Sequence, residues 1–218
     1  GQGTDTVQAF PFASPFTSST VVGDLTRQFQ SSSAGLSSST EGYIAAGQWR
    51  NPVGVPPTGQ VFNTTDIESF PFAAPFTTST LVGDVFVDGS PNVIRDFLVG
   101  ISGSANGYTA GGTTPPAAPP ATMTNVIDSF PFSTPFVTAT DLGDLTIGRR
   151  YASGTTDSTS GYVMSGDGPV VPALTGVIDQ FPFSVPFATS TNIGALTEAV
   201  IRSGGHASLT DGYVSGGN

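Results

Sequence analysis

Ile127-Asp128-Ser129-Phe130-Pro131-Phe132, closed two residues later by Pro135-Phe136, is the stretch that decides how this chain is built. The same Phe-Pro-Phe and Pro-Phe pair returns at Phe10-Pro11-Phe12 with Pro15-Phe16, at Phe70-Pro71-Phe72 with Pro75-Phe76, and at Phe181-Pro182-Phe183 with Pro186-Phe187. Self-similarity at a near-constant spacing is the signature of a repeat architecture. Twelve of the sixteen Phe lie in this one motif, so the apolar material is concentrated where the repeat recurs.

Other landmarks follow in fixed order. A run of small, mostly hydroxylated residues comes next (Thr17–Thr20, Thr77–Thr80, Val137–Thr140, Ala188–Thr191). Then come Gly23-Asp24-Leu25, Gly83-Asp84-Val85, Gly143-Asp144-Leu145 and Gly194-Ala195-Leu196, and finally Gly42-Tyr43, Gly107-Tyr108, Gly161-Tyr162 and Gly212-Tyr213. These divide a single repeat domain, 1–218, into copies at about 1–60, 61–120, 121–175 and 176–218, with the cuts in Pro/Gly-rich connectors (47–65, 111–125, 166–176), so each repeat is expected to be whole. The second copy carries an insertion near Asp88–Ile94.

With 28 Gly and 18 Pro and no sustained 3.6-residue apolar period, helix is disfavoured. Short Val/Ile/Phe/Tyr/Thr runs bounded by Gly, Ser, Asn and Asp read as strands, about four per repeat. In the third copy they are expected at Asn125–Phe132, Val137–Leu142, Leu145–Ser153 and Gly161–Ser165. Pro offers no N–H to a ladder, so the Phe-Pro-Phe strand is expected at a sheet edge or at a bulge, its two Phe on one face and Pro on the other. The fold class is therefore all-β.

The chemistry open to the chain is narrow. Absence of Cys excludes disulfides, thiolate metal sites and a thiol nucleophile. One His, His206, among scattered carboxylates argues against a metalloenzyme or a nucleophilic triad. No catalytic residue and no cofactor are expected. Sixteen acidic residues against six Arg give a formal charge of -10, so nucleic acid, which needs a basic patch, is not the expected partner. No apolar run approaches the roughly 18 residues of a membrane span. The first residue is Gly1 and no signal-like segment opens the sequence, which suits a processed form or part of a larger polypeptide.

Asp24, Asp84 and Asp144 share one repeat position, where the fourth copy has Ala195. Turn or cap roles suit them; Ca²⁺ ligation is the alternative and would need several oxygens to converge. Tyr43, Tyr108, Tyr162 and Tyr213 pack within their sheets or form a ring of sugar-stacking aromatics. Trp49 and Arg50 stand in a connector, where a contact hot spot competes with cover for the local sheet. The insertion and the Pro-rich connector break the repeat and so offer places for specificity. Phe10, Phe12, Phe70, Phe72, Phe130, Phe132, Phe181 and Phe183 are expected in the core, since so many exposed rings would aggregate.

The stretch Asp144-Leu145-Thr146-Ile147-Gly148-Arg149-Arg150-Tyr151-Ala152-Ser153-Gly154, then Gly161-Tyr162-Val163-Met164-Ser165-Gly166, resembles the inner half of a kelch-type β-propeller blade. Gly111-Gly112 and Gly216-Gly217 keep that family's Gly pair; its characteristic Trp is missing from all four copies. Ile127-Asp128-Ser129-Phe130-Pro131-Phe132 with Leu142-Gly143-Asp144-Leu145-Thr146 resembles a divergent kelch-like repeat of marine bacteriophage structural proteins. The likeness covers essentially the whole chain and implies no catalytic residue. It implies four kelch-like repeats in a small four-bladed β-propeller; a row of β units or part of a larger ring is the alternative. It also implies a non-enzymatic protein at a virion surface or otherwise extracellular: capsid decoration, tail fibre or host attachment. Partners would be other virion subunits, a host-surface glycan or further copies in a homo-oligomer. The competing reading is a secreted carbohydrate-binding lectin.

Overall fold

The structure, a computed structural model, describes residues 4–12, 18–50, 61–73, 75–85, 94–114, 122–133, 136, 138–169, 174–184 and 187–218. The chain is all-β, in several antiparallel sheets, with no helix among the described residues. The strands run β1 (Thr4–Ala9), β2 (Thr20–Ser31), β3 (Ala34–Ser37), β4 (Glu41–Arg50), β5 (Val61–Pro71) and β6 (Thr80–Asp84). Next are β7 (Val99–Ser102), β8 (Asn106–Ala110), a small ribbon of β9 (Thr113–Thr114) and β10 (Thr122–Met123), β11 (Val126–Pro131) and β12 (Thr140–Asp144). The last are β13 (Ser153–Thr156), β14 (Ser160–Met164), β15 (Val177–Pro182), β16 (Thr191–Ala195), β17 (Gly204–Ala207) and β18 (Gly212–Ser215).

One sheet plan recurs. An inner hairpin that ends in Gly-Tyr lies beside the next Phe-Pro-Phe strand, which lies beside the strand that ends in Gly-Asp. The second sheet is β7-β8-β11-β12 and the third is β13-β14-β15-β16. The first follows the plan as β3-β4-β5-β6, with β1 and β2 joined to it through β4. Every full sheet thus takes its inner hairpin from one sequence repeat and its outer hairpin from the next. The expectation that each repeat is a whole sheet is corrected. What remains at the ends is half a sheet each: β1-β2 at the N-terminal end and β17-β18 at the C-terminal end.

In the three full sheets the Phe-Pro-Phe strand (β5, β11, β15) is interior, and only β1, which leads into the first copy of the motif, lies at an edge among the described strands. β11 pairs β8 on one side and β12 on the other. Pro131 is tolerated because it is the last residue of the strand, beyond the reach of β12, whose pairing stops at Ser129. The expected strand Leu145–Ser153 is irregular until Ser153, because Leu145 and Arg149 turn inward and Tyr151 adopts a φ of 54°. The first connector is partly strand, since Gly47 to Arg50 pair with residues Val61 to Thr64. Pro15-Phe16, Pro135 and Pro186, the insertion at Asp88 and most of the Pro-rich connector (115–121) lie outside the described residues.

Two apolar layers hold the described sheets face to face. Between the first and second lie Leu36, Tyr43, Ile67, Val85, Leu98 and Phe130. Between the second and third lie Ile101, Tyr108, Ile127, Leu145, Val163 and Phe181. Phe130 and Phe181 are fully buried, each ring lying over the Gly of its Gly-Tyr neighbour (Gly107, Gly161), where a Cβ would collide with it. Fully burying one such ring is worth roughly 1.5–3 kcal/mol.

This contact fixes a prediction. Gly107→Ala is expected to lower stability by about 1–3 kcal/mol through overpacking. Gly35→Ala, whose added methyl has open space around it, is expected to stay within about 0.5 kcal/mol. Urea denaturation of the two variants beside the parent chain checks both.

Candidate functional site

The joint between neighbouring sheets is built from the repeated residues themselves. Tyr43 stacks on Phe132 of the next sheet, centroids 4.8 Å apart and planes 29° apart, and its hydroxyl donates to the Phe132 carbonyl at 2.9 Å. Tyr108 does the same with Phe183, at 4.6 Å and 15°, its hydroxyl donating to the Phe183 carbonyl at 3.3 Å. Burial pushes both phenols up, and Glu41 adds to the effect at Tyr43. These two rings are therefore packing pins between sheets, with no face left for a sugar.

Backbone bonds run alongside. Ser79, Ala139 and Ser190 donate their N–H groups to the carbonyls of Asp24, Asp84 and Asp144 at 2.7–2.8 Å. The shared Gly-Asp position is thus where one sheet's outer strand meets the next sheet's hydroxyl run. The carboxyl of Asp84 accepts from the Thr65 hydroxyl at 2.9 Å. The three Asp stand in successive sheets and do not converge, and among the described residues no group of three or more metal-ligating side chains gathers.

Sequence reasoning missed the polar centre of the joint. Two residues before each Phe-Pro-Phe stand Glu68, Asp128 and Asp179, all fully buried. Glu68 accepts from the Thr26 amide at 2.9 Å and from the Thr26 and Ser79 hydroxyls. Asp128 accepts from Arg95 at 2.8 Å and Thr109 at 2.6 Å. Asp179 accepts from the Thr146 amide at 3.1 Å, the Thr146 hydroxyl at 2.6 Å and Arg149. Arg149 also donates to the carbonyls of Ser165 and Val177, and its burial pulls the guanidinium below its usual range while Asp179 opposes this. The signal available in sequence was an acid in three of four copies where the first has Gln8, and an Arg four residues ahead of β7 and β13 where β17 has Val200.

The remaining candidates are dispersed. Tyr162 is half-buried; its hydroxyl donates to Asp157 at 2.6 Å, and with the amides of Thr159 and Ser160 this holds the Asp157 carboxyl down to about 2. Trp49 stacks on Phe62 at 4.8 Å with Arg27 over its ring, so it covers its own extended sheet. Of Arg50 only the backbone is described, paired with Val61. His206 is exposed and bonds the Ser215 hydroxyl at 2.9 Å.

Three rings expected in the core are exposed: Phe10, Phe12 (97%) and Phe72 (55%); Tyr213 (51%) joins them. The reason is positional, since Phe10 and Phe12 follow β1, Phe72 faces β1 across a groove, and Tyr213 lies on β18, all beside one of the two half-sheets. Two grooves lie beside those half-sheets. One, about 610 Å³, lies between β1 and the first sheet and is lined by Phe10, Phe12, Phe70 and Phe72. The other, about 380 Å³, lies between the third sheet and the β17-β18 hairpin and is lined by Tyr162, Ile193, Leu209 and Gly212.

No family model matches the chain, and no curated protein matches it. A solved structure titled "Structure of YjhT" is similar, with a TM-score of 0.63 and 11% identity over 84% of this chain and 57% of that one. At that identity the likeness shows the fold alone, and the chain spans just over half of that structure's length.

The buried ion pair generates a prediction. Arg149→Val, which strands a buried carboxylate, is expected to cost about 3–5 kcal/mol. Adding Asp179→Gln, which copies the uncharged Val200 and Gln8, is expected to recover a large part of that loss. A double-mutant cycle by chemical denaturation checks the coupling.

Proposed function

We propose that this chain is a non-enzymatic structural and adhesion protein of a virus-particle surface, a decoration, fibre or host-attachment component, built as an open arc of kelch-like propeller blades. The observation that carries the reading is where the polar and apolar groups are used. The repeated Asp, Glu, Arg and Tyr serve the joints between sheets, while large exposed rings gather at the two ends of the array. Exposed apolar ends suit contact with further protein rather than turnover of a small molecule. A ring of four blades would need the two half-sheets to meet, and the exposure of Phe12, Phe72 and Tyr213 favours an arc belonging to a larger ring over that closed form. The stacking of Tyr43 and Tyr108 weighs against the lectin reading, which needs those ring faces for sugars.

The test is particle association. Antibodies against the chain are expected to label virus particles banded from the source sample and to keep labelling after a high-salt wash. Label confined to the soluble fractions, together with saturable binding on a glycan array that Tyr162→Ala abolishes, would replace this reading with the lectin.

A further inference from the structure

Each full sheet joins an inner hairpin to an outer hairpin, and among the described residues β1-β2 and β17-β18 stand as one of each without the other half. β1-β2 is an outer hairpin: its pairs Thr6–Asp24, Val7–Gly23, Gln8–Val21 and Ala9–Thr20 repeat those of β11-β12, bulge included. β17-β18 is an inner hairpin, paired as β13-β14 is. We propose that the β1-β2 hairpin of one copy completes the β17-β18 half-sheet of a second copy, so that this chain assembles head to tail through a shared fourth sheet. The proposal rests on the reading of the chain as an assembly protein and names its partner.

The register follows from the full sheets. Glu68 faces Ile44, Asp128 faces Thr109 and Asp179 faces Val163, so Gln8 faces Val214. The Phe10 ring then lies over Gly212, as Phe130 lies over Gly107; a Cβ added at Gly212 would meet, among the described residues, just the Thr155 methyl, at 3.3 Å. Phe12 reaches Tyr162 as Phe183 reaches Tyr108, and Tyr213 enters the groove on Phe72 as Tyr43 enters on Phe132.

Two further matches are independent of these rings. The fourth sheet lacks both members of the buried ion pair in step, with Val200 at the Arg position and Gln8 at the Asp position. An Arg on the β17-β18 half would be buried there without an acid, and Val200 is the uncharged residue that Gln8 calls for; the reverse does not hold, since Glu68 is buried on the Thr26 and Ser79 donors alone. The second match is a glycine column. A Cβ on Gly100 would meet the Gly35 carbonyl at 2.6 Å, one on Gly154 would meet the Gly100 carbonyl at 3.2 Å, and one on Gly205 would strike the Gly154 carbonyl. Gly35 opens the column, yet a Cβ added to it would meet no atom of the described residues within 4 Å. Its place is explained when the completed fourth sheet of the joint sets Gly205 of the second copy against it.

Among the described residues of one chain the halves stand apart, as the 97% exposure of Phe12 and the open space that a Cβ added at Gly35 or Gly194 would find show. Between copies the contact is heterologous, the patches at the two ends being different, and its core is strand addition with side chains seated in pockets. Two copies joined at both ends would make a ring of eight sheets, inside the four-to-eight range of such rings.

Because the chain has no Cys, engineered thiols report the register without background. Gln8→Cys and Val214→Cys chains, mixed and mildly oxidised, are expected to give a mixed disulfide at twice the chain mass, since directly opposed residues have Cα atoms about 4.5–5.5 Å apart. Gln8→Cys mixed with Ser208→Cys is expected to give less than a tenth of that product. Gly35→Val, with an unchanged denaturation midpoint, is expected to raise the dissociation constant at least tenfold in sedimentation velocity. A parent chain that stays monomeric at the highest soluble concentration, or a Gln8→Cys/Val214→Cys double variant that closes on itself at monomer mass whatever the dilution, overturns the proposal. The crosslink needs no particle, so its failure and that of the particle-labelling experiment are read separately.

Discussion

Everything in this structure depends on one face-to-face contact: an aromatic ring from one sheet set on the Phe-Pro-Phe strand of the next. A four-stranded sheet with short strands cannot bury its apolar face alone. Here the burial comes from siblings, with Tyr43 reaching forward to Phe132 and Tyr108 to Phe183. An aromatic pair of this kind adds about 0.5–1.5 kcal/mol beyond its burial, and a hydroxyl-to-carbonyl bond about 0.5–1.5 kcal/mol more. The joint is therefore worth having twice and costly to leave open at both ends.

The polar groups follow the same logic. A carboxylate at the centre of a sheet is costly unless its oxygens are satisfied, and each is: Glu68 by hydrogen bonds from Thr26 and Ser79, Asp128 by Arg95 and Thr109, Asp179 by Thr146 and Arg149. Several of these donors come from the segment leading in from the preceding outer strand, so the acid ties one sheet to the next as well as filling its own. The six Arg of this acidic chain are spent in part on such pairs, which leaves little positive charge for an anionic ligand.

The repeat, the all-β class and the strand-forming stretches were legible because the Phe-Pro-Phe and Gly-Tyr landmarks recur in register. Sheet membership was not, because a sequence repeat does not say where a hydrogen-bonded unit begins; the hairpin before Gly-Tyr belongs with the Phe-Pro-Phe that follows it. The edge position assigned to Pro131 missed that a proline can end an interior strand where its outer neighbour has already stopped. Phe12 and Phe72 read as core because the motif is core wherever its partner sheet is present. The buried acids were passed over since a lone Asp in a strand reads as surface until its Arg, thirty or so residues away, is placed beside it.

The dependence of each sheet on its neighbour is tested most directly by native-state hydrogen exchange across a dilution series. The account predicts that amides of β8, β11, β14 and β15, flanked on both sides, exchange slowest at every concentration. It predicts that those of β16 and β18 exchange quickly in dilute solution and slow down as the chain is concentrated. Uniform protection of all four sheets in a dilute monomer would contradict it.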